Sequence, residues 1–341
     1  MSAGSGSLPR YILQRLLLII PMVWVLVTMV FILLRVAPGD PVSAAVGGRL
    51  SEEALDTRRE ALGLDRPLLV QYLEYIGNVA TLDFGNTISD NRPVLDLIID
   101  NGGATLSLTV GAFLFALLVG IPLGLLAGRH RDSVGDVVIR MFGVVSYAAP
   151  IFFTGLMAQI FIAAPLGWPT SDIASPPTKF LVEPVTRILV VDAFLSGNTD
   201  AIFDVLLRHI LPCVTLGLLL CGVFIRLVRV NVLQTLKGDY VEAARARGIP
   251  EKYVMRRHAF RNALVPVVTV IGLQVALTLA GAILTERTFN WPGLGTQLVD
   301  YLEARDYIAV QGLVTFFALI VVVVSQFVDI INAIIDPRVR Y

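Results

Sequence analysis

Six stretches of the chain stay apolar for 20 residues or more, and between them charged and polar positions return in clusters. A membrane-crossing helix needs about 20 mostly apolar residues. The pattern therefore predicts spans at 11–34, 104–128, 138–166, 207–228, 264–284 and 308–335. The first is longer than the apolar core of a secretory leader and no small-residue cleavage site follows it, so it reads as an uncleaved anchor. Between spans one and two, "EEALDTRREALGLDRPLLVQYLEYI" carries apolar residues at helical spacing, which predicts a small helical subdomain. Between spans three and four, "GWPTSDIASPPTKF" opens an insertion in which Pro169, Pro176 and Pro177 break helix and sheet. Further on, "FLSGNTDAIFDVLLRH" reads as a turn followed by a short amphipathic helix. No internal repeat and no inverted halves are visible.

The predicted fold class is an all-α membrane protein of six transmembrane helices. Its organisation is an N-terminal tail with the first helix (1–34), a helical subdomain (35–103) and a five-helix core (104–341). That core contains a second insertion (167–206) and a charged loop (229–263). Composition agrees: 55% of residues are hydrophobic and 16% charged, against about 25% charged in soluble domains. Mean hydropathy is +0.75.

A net charge of zero becomes informative once the charges are placed. With the N-terminus inside, the cytoplasmic pieces hold 16 basic and 7 acidic residues, and the external pieces 11 basic and 20 acidic. The resulting +9 inside and −9 outside follow the positive-inside rule. Both termini are expected in the cytoplasm, both insertions (35–103 and 167–206) outside, and the whole in a cell membrane as a multi-pass protein. The insertions are expected to form ordered structure on the external side.

The most basic stretch, "DYVEAARARGIPEKYVMRRHAF" (239–260), then lies inside. Asp239 can cap a helix over 240–247, because its carboxylate can accept the free amides of the first turn. Gly248 supplies a left-handed stop, and Pro250 suits the first turn of a second helix running into 255–262. Ala243, Ala244 and Ala246 make the first helix smooth, with Glu242, Arg245 and Arg247 as polar handles. A smooth short helix with charged flanks fits a groove on another protein. A solvated loop that merely carries the inside charge is the competing reading.

Candidate chemistry elsewhere is sparse. The only lysines, Lys179, Lys237 and Lys252, lack a phosphate-binding loop around them. His130, His209 and His258 are scattered at span ends and read as interfacial. Cys213 and Cys221 lie eight residues apart in one apolar run. On a helix that separation is ~12 Å, too far for a disulfide. No nucleophile–base pair for an intramembrane hydrolase stands out. Gly120, Gly124 and Gly128, and likewise Gly272, Ala276 and Ala280, allow close helix approach, within one subunit or against a sister. Pro122 and Pro150 can kink their spans. Gln274, Thr278, Ser325 and Gln326 are candidate pathway or gate residues, or simple interhelical hydrogen-bonding groups. The external "NWPGLG" (290–295) is a turn with an aromatic knob, Trp291, which can also serve as an interfacial anchor.

Within the hook, "EAARARG" resembles the EAA motif of ABC importer permeases, with Glu242, Ala243, Ala244 and Gly248 matching position by position. The general family pattern ends beyond the Gly in Ile-x-Leu-Pro. Here His258, Phe260 and Arg261 stand in that region, and "RHAFRNALVP" (257–266) resembles the form used by dipeptide and oligopeptide permeases. "VAPGDPV" (36–42), "LGLDRPLLVQYLEYIGN" (62–78), "FNWPGLGTQLVDYLEARDY" (289–307) and "DPRVRY" (336–341) are similar to the same subfamily at corresponding places.

The resemblance implies a non-catalytic permease subunit of an ATP-driven importer of peptides. Tyr240, Glu242, Ala243, Ala244, Arg245 and Gly248 would form a coupling helix seated in a cleft of an ATPase. Trp291, Gly293 and Gly295 would lie near the mouth facing an extracytoplasmic substrate-binding protein. A sister permease, in a heterodimer, and two ABC ATPase domains or subunits would complete the assembly. ATP and Mg would sit on those partners, leaving this chain without a cofactor or metal, and no nucleic acid is implied. Nickel chelates or oligosaccharides are alternative substrates within the same class. A self-sufficient secondary transporter is a further alternative, and it would require buried ion-coupling charges.

Overall fold

A computed structural model describes residues 8–36, 51–61, 63–254 and 265–335, with Ser43, Phe260 and Ala263 besides. The expected helix over 255–262, the "VAPGDPV" segment beyond Val36 and the terminal "DPRVRY" fall outside these residues. The chain is an all-α membrane protein, and the apolar runs become helices because only an internally hydrogen-bonded backbone is tolerated in lipid.

α1 (Leu8–Val36) is the first apolar run. The subdomain beyond it holds α2 (Glu52–Ala61) and α3 (Leu68–Ala80). α3 is tied to α1 through Phe31, whose ring lies 5.3 Å from that of Tyr72 and 5.7 Å from that of Tyr75. The Thr28 and Tyr72 hydroxyls add a 2.7 Å hydrogen bond. α4 (Val94–Arg129) starts before the predicted second span and runs straight through the boundary drawn at 103.

The third apolar run differs from expectation. It is α5 (Val134–Ala148) and α6 (Ile151–Leu166), bent by 107° to each other, not one straight span over 138–166. The cause is Pro150, which has no amide to donate and forces the preceding Ala149 out of the helical region, to ψ 131°. α7 (Pro176–Leu181) and α8 (Leu189–Ser196) lie in the second insertion. Pro176 and Pro177 start α7 and do not break structure there, since first-turn amides need no partner.

The predicted turn before the fourth span is present. Gly197 is left-handed (φ +66°), and the Asn198 side chain accepts from the Asp200 and Ala201 amides. The helix after it is not short, because it continues as α9 (Thr199–Thr235) through the whole span and past the loop boundary drawn at 229. α10 (Asp239–Ala246) and α11 (Glu251–Tyr253) form the hook. α12 (Val265–Thr288) is bent by 43° along its length, followed by α13 (Leu294–Glu303) and α14 (Tyr307–Ile335). Among the described residues, four helices, α1, α4, α9 and α14, are thus each long and apolar enough to cross a membrane, and the two bent segments account for the other apolar runs.

The centre of the molecule is the pairing of α4 with α9. A Cβ on Gly124 would stand 2.8 Å from the Ile225 carbonyl, and one on Gly128 2.9 Å from Val232. The glycine stripe therefore packs inside one subunit. Gly272 does the same for α12 against Val328 of α14. Cys213 and Cys221 are free and buried. Near the C-terminal end of α9, Arg229 makes two bonds to the buried Asp136 carboxylate, at 2.7 and 2.8 Å, joining α9 to α5. Arg15 and Asp329, 2.9 Å apart, join α1 to α14.

Candidate functional site

Two short connections carry the motifs. In the hook, Gly238 occupies the cap position of α10 without a side-chain bond, so Asp239 is the first helical residue and not the cap expected from its carboxylate. Asp239 and Glu242 still put negative charge at the positive end of the helix. The far end matches expectation. Gly248 has φ +73°, its amide donates to Arg245 (2.9 Å), and the Ile249 amide donates to Ala244 (3.2 Å). That pair of bonds is the Schellman stop, which needs a left-handed residue and favours glycine. Arg245 then spans the turn to Glu251 through two bonds of 3.0 and 2.7 Å. The bound guanidinium holds the Glu251 carboxyl below the usual carboxylate range.

The hook has two faces. Val241 and Ala244 are buried against Leu236, Ile249 and Val254. Tyr240, Glu242, Ala243, Arg245, Ala246, Arg247 and Gly248 are exposed. Ala244, expected on the smooth face entering a partner, instead faces its own chain, because the helix period sets it beside Val241. Ala243 and Ala246 supply the smooth exposed surface, flanked by Tyr240 and Arg247.

The second connection, the turn at 286–296, is built inside out. Trp291 is fully buried, with its indole N–H donating to the Ala104 carbonyl (3.0 Å) and its ring edge-on to His209 (4.6 Å between centroids). It is neither an exposed knob nor an interfacial anchor. His209, expected at the interface, is buried too; its ring nitrogens lie 2.7 Å from the Val205 carbonyl and 3.2 Å from the Ser107 hydroxyl. At the heart of the turn is Glu286, with no exposed surface. Its carboxylate accepts the Thr105 hydroxyl (2.6 Å) and the Thr296 amide (2.9 Å). Thr105 in turn accepts the Leu294 amide (2.8 Å). The free amides at the start of α13 are thus satisfied by a carboxylate from α12 and a hydroxyl from α4. Gly293 and Gly295 are buried here because any side chain would strike Glu286; a Cβ on Gly295 would sit 2.8 Å from its Oε2. Their role is to admit that carboxylate, and they are not exposed to a binding protein.

The span residues find local partners. Thr278 and Gln274 are buried, and the Thr278 hydroxyl donates to the Gln274 carbonyl (2.6 Å). Gln326 is buried and donates to the Met22 sulfur of α1 (3.4 Å), while Ser325 is half-buried. Glu286 escaped the sequence reading, as did Asp306. Asp306 has no exposed surface and holds the Ser89 amide (2.8 Å) and hydroxyl (2.7 Å) from the first insertion. The available signal was position: an acid just before a glycine turn ("ERTFNWPGLG") and another just before an apolar run ("RDYIAV").

Comparison with known proteins covers nearly the whole chain. The family model described as binding-protein-dependent transport system inner membrane component matches residues 120–341, and its N-terminal companion matches 8–109. The dipeptide transport system permease protein DppB of Escherichia coli (strain K12) is 38% identical over 337 residues, 97% of this chain and 99% of that protein. The di/tripeptide transport system permease protein DppB of Pseudomonas aeruginosa (strain UCBPP-PA14) is 37% identical, over 97% and 98%. A probable D,D-dipeptide transport system permease protein, DdpB, of E. coli (strain K12) is 37% identical over 91% of each.

Proposed function

This chain belongs to the family of binding-protein-dependent transport system inner membrane components, and from that premise we propose that it is the permease subunit of an ATP-driven peptide importer. Di- and oligopeptides, delivered by an extracytoplasmic binding protein, are its substrates. A sister permease and two ABC ATPase domains or subunits complete the assembly, and ATP with Mg binds to those partners. Both termini face the cytoplasm, in keeping with the +9 and −9 charge split.

The observation that carries this reading is the hook. A helix anchored by Val241 and Ala244 and stopped at Gly248 leaves an exposed ridge of Tyr240, Ala243, Ala246 and Arg247, with Glu242 beside it. A ridge held from behind suits insertion into a cleft and transmission of force. Closure of the ATPase pair pulls on this ridge, and the two permeases rock from inward-open to outward-open. Peptide released by the binding protein then enters between them.

The test is reconstitution with the sister permease, the ATPases and the binding protein in liposomes. ATP-dependent uptake of a labelled dipeptide is expected. Uptake of a nickel chelate or an oligosaccharide in its place would overturn the substrate, and failure of any ATPase to co-purify would overturn the coupling role. A reporter fused after Tyr341 tests orientation: cytoplasmic activity is expected, and exported activity would reverse it.

A further inference from the structure

We propose that the second insertion is a membrane-surface anchor whose α7 and α8 lay an apolar face into the outer edge of the bilayer that the rest of the chain spans. The polarity of α8 is inverted for a helix facing water. Its one charged residue, Asp192, is 2% exposed and turned inward, where it accepts the Thr186 amide and hydroxyl, both at 2.7 Å. Its inner side, Leu189, Val190 and Ala193, packs on the core. What faces out is Val191, Phe194 (55% exposed) and Leu195 (63%). On α7, Thr178 points in and donates to Asp204 (2.8 Å), Phe180 is 91% exposed and Leu181 58%, and the exposed Lys179 between them is paired with Asp172 (2.7 Å). A water-facing surface carrying this many contiguous large apolar side chains would be an aggregation hazard.

The height of these residues identifies what covers them. α4 and α9 run side by side, with Ser107 level with His209. Gly103, one turn further out, lies against the Arg187 carbonyl so closely that any Cβ would overlap it. The start of α8 is thereby fixed about one turn outside His209, level with Val205. The apolar run of α9 begins at Leu207, so this point lies only about 3 Å beyond it at 1.5 Å per residue. The headgroup layer is about 5–7 Å deep on each side of a ~30 Å hydrocarbon core. The start of α8 therefore stands in that layer. So does α7, whose Thr178 is bonded to Asp204, only about 4.5 Å beyond Leu207 by the same rise. The end of α8 climbs from the layer's outer edge towards Thr199.

Their apolar surface also continues inward. Along α9 it passes through Phe203 (69% exposed), Leu206 and Ile210. It then meets a hollow of about 460 Å³ between α6 and α9, lined by Phe161, Trp168, Leu211, Val214 and Leu218 among others. An apolar face beside polar anchoring residues is the signature of helices that lie in the interface plane.

The experiment uses the full complex in lipid nanodiscs, with single cysteines placed at Phe180, Phe194 and Phe203 and labelled with an environment-sensitive nitrobenzoxadiazole probe. The unlabelled parent, with Cys213 and Cys221 buried, sets the background. A cysteine at Asp200, exposed at the start of α9, serves as the water-facing control. Expected are blue-shifted emission at the three apolar positions relative to position 200, and quenching by lipids carrying a nitroxide near the headgroup, with or without the binding protein. Water-like emission without quenching would overturn the proposal. A blue shift that appears only when the binding protein is added would assign the face to that protein. A constant blue shift that lipid nitroxides cannot quench would assign it to the sister subunit.

Discussion

The hook at 239–249 and the turn at 286–296 are both short connections rich in small residues and charge, yet they use those residues in opposite ways. In the hook, two apolar side chains face the chain and seven of the residues from 240 to 248 are exposed. In the turn, Trp291, Gly293, Leu294 and Gly295 are all buried around a carboxylate. The hook's glycine serves the backbone: Gly248 has φ +73° and no atom near its missing Cβ. The turn's glycines serve space, since Gly293 and Gly295 are empty so that Glu286 can reach the amides of α13. A connection that must engage another molecule keeps its side chains outward. One that must hold three helices together turns them in. Substitution should therefore damage the turn through the stability of this chain, and the hook through its partner.

The largest effect is expected at the turn. Glu286→Ala strands the Thr105 hydroxyl and the Thr296 amide in a buried site, and bonds to a charged acceptor contribute about 1.5–3 kcal/mol each. Thermal unfolding of the purified chain should shift strongly downward, with reduced yield in the membrane. Gly293→Ala should resemble it, because the new Cβ collides with the carboxylate. Wild-type stability in both variants would mean that the turn is not a buried knot.

Next comes a pair that divides the hook's two faces. Ala244→Trp overpacks the contact with Val241 and Val254, at about 1–3 kcal/mol, and should unseat the hook and abolish uptake. Ala243→Trp, on the exposed face, should leave the unfolding temperature of this chain unchanged and still release the ATPase on co-purification. If Ala243→Trp retained the ATPase, the exposed ridge would not be the contact.

Gly248→Val forces a β-branched residue into the left-handed region at roughly 1–2 kcal/mol. Uptake should fall sharply, and Gly248→Asn should recover most of it, since Asn tolerates that region. Equal loss in both would point to a need for space outside the chain and not for backbone freedom. Glu242→Ala is expected to weaken coupling of ATP hydrolysis to uptake while insertion stays normal.

The smallest effect concerns the bridge between Arg245 and Glu251. The Glu251 carboxyl is lowered in the folded chain by the Arg245 guanidinium bonded to it. Its contribution is therefore complete above the ordinary glutamate range and is lost as pH falls through the depressed folded value. Exposed pairs contribute about 0–1 kcal/mol. Glu251→Gln should shift the unfolding temperature slightly at neutral pH and not at all in strong acid, where a persistent difference would contradict the bridge.

The same contrast explains what was legible in the chain itself. Apolar run length fixed the all-α membrane class and the six apolar segments, because lipid imposes one requirement on every position of a span. Gly248 and its Schellman stop were legible because a left-handed residue after a helix is a local demand. The α4–α9 glycine stripe was legible as close packing, but its partner was not, since spacing alone does not say which helix comes near. The 107° break in the third run shows where local and tertiary information meet: Pro150 announced a kink, and only packing set its angle. Glu286, Asp306 and Trp291 were decided by tertiary structure alone. Their partners, Thr105, Ser89 and Ala104, are distant in sequence. No periodicity in one segment can record that another segment will satisfy its charge or cover its ring. The two faces of the hook, with Ala244 inward and Ala243 outward, were likewise settled only when Val254 and Leu236 came to lie behind them.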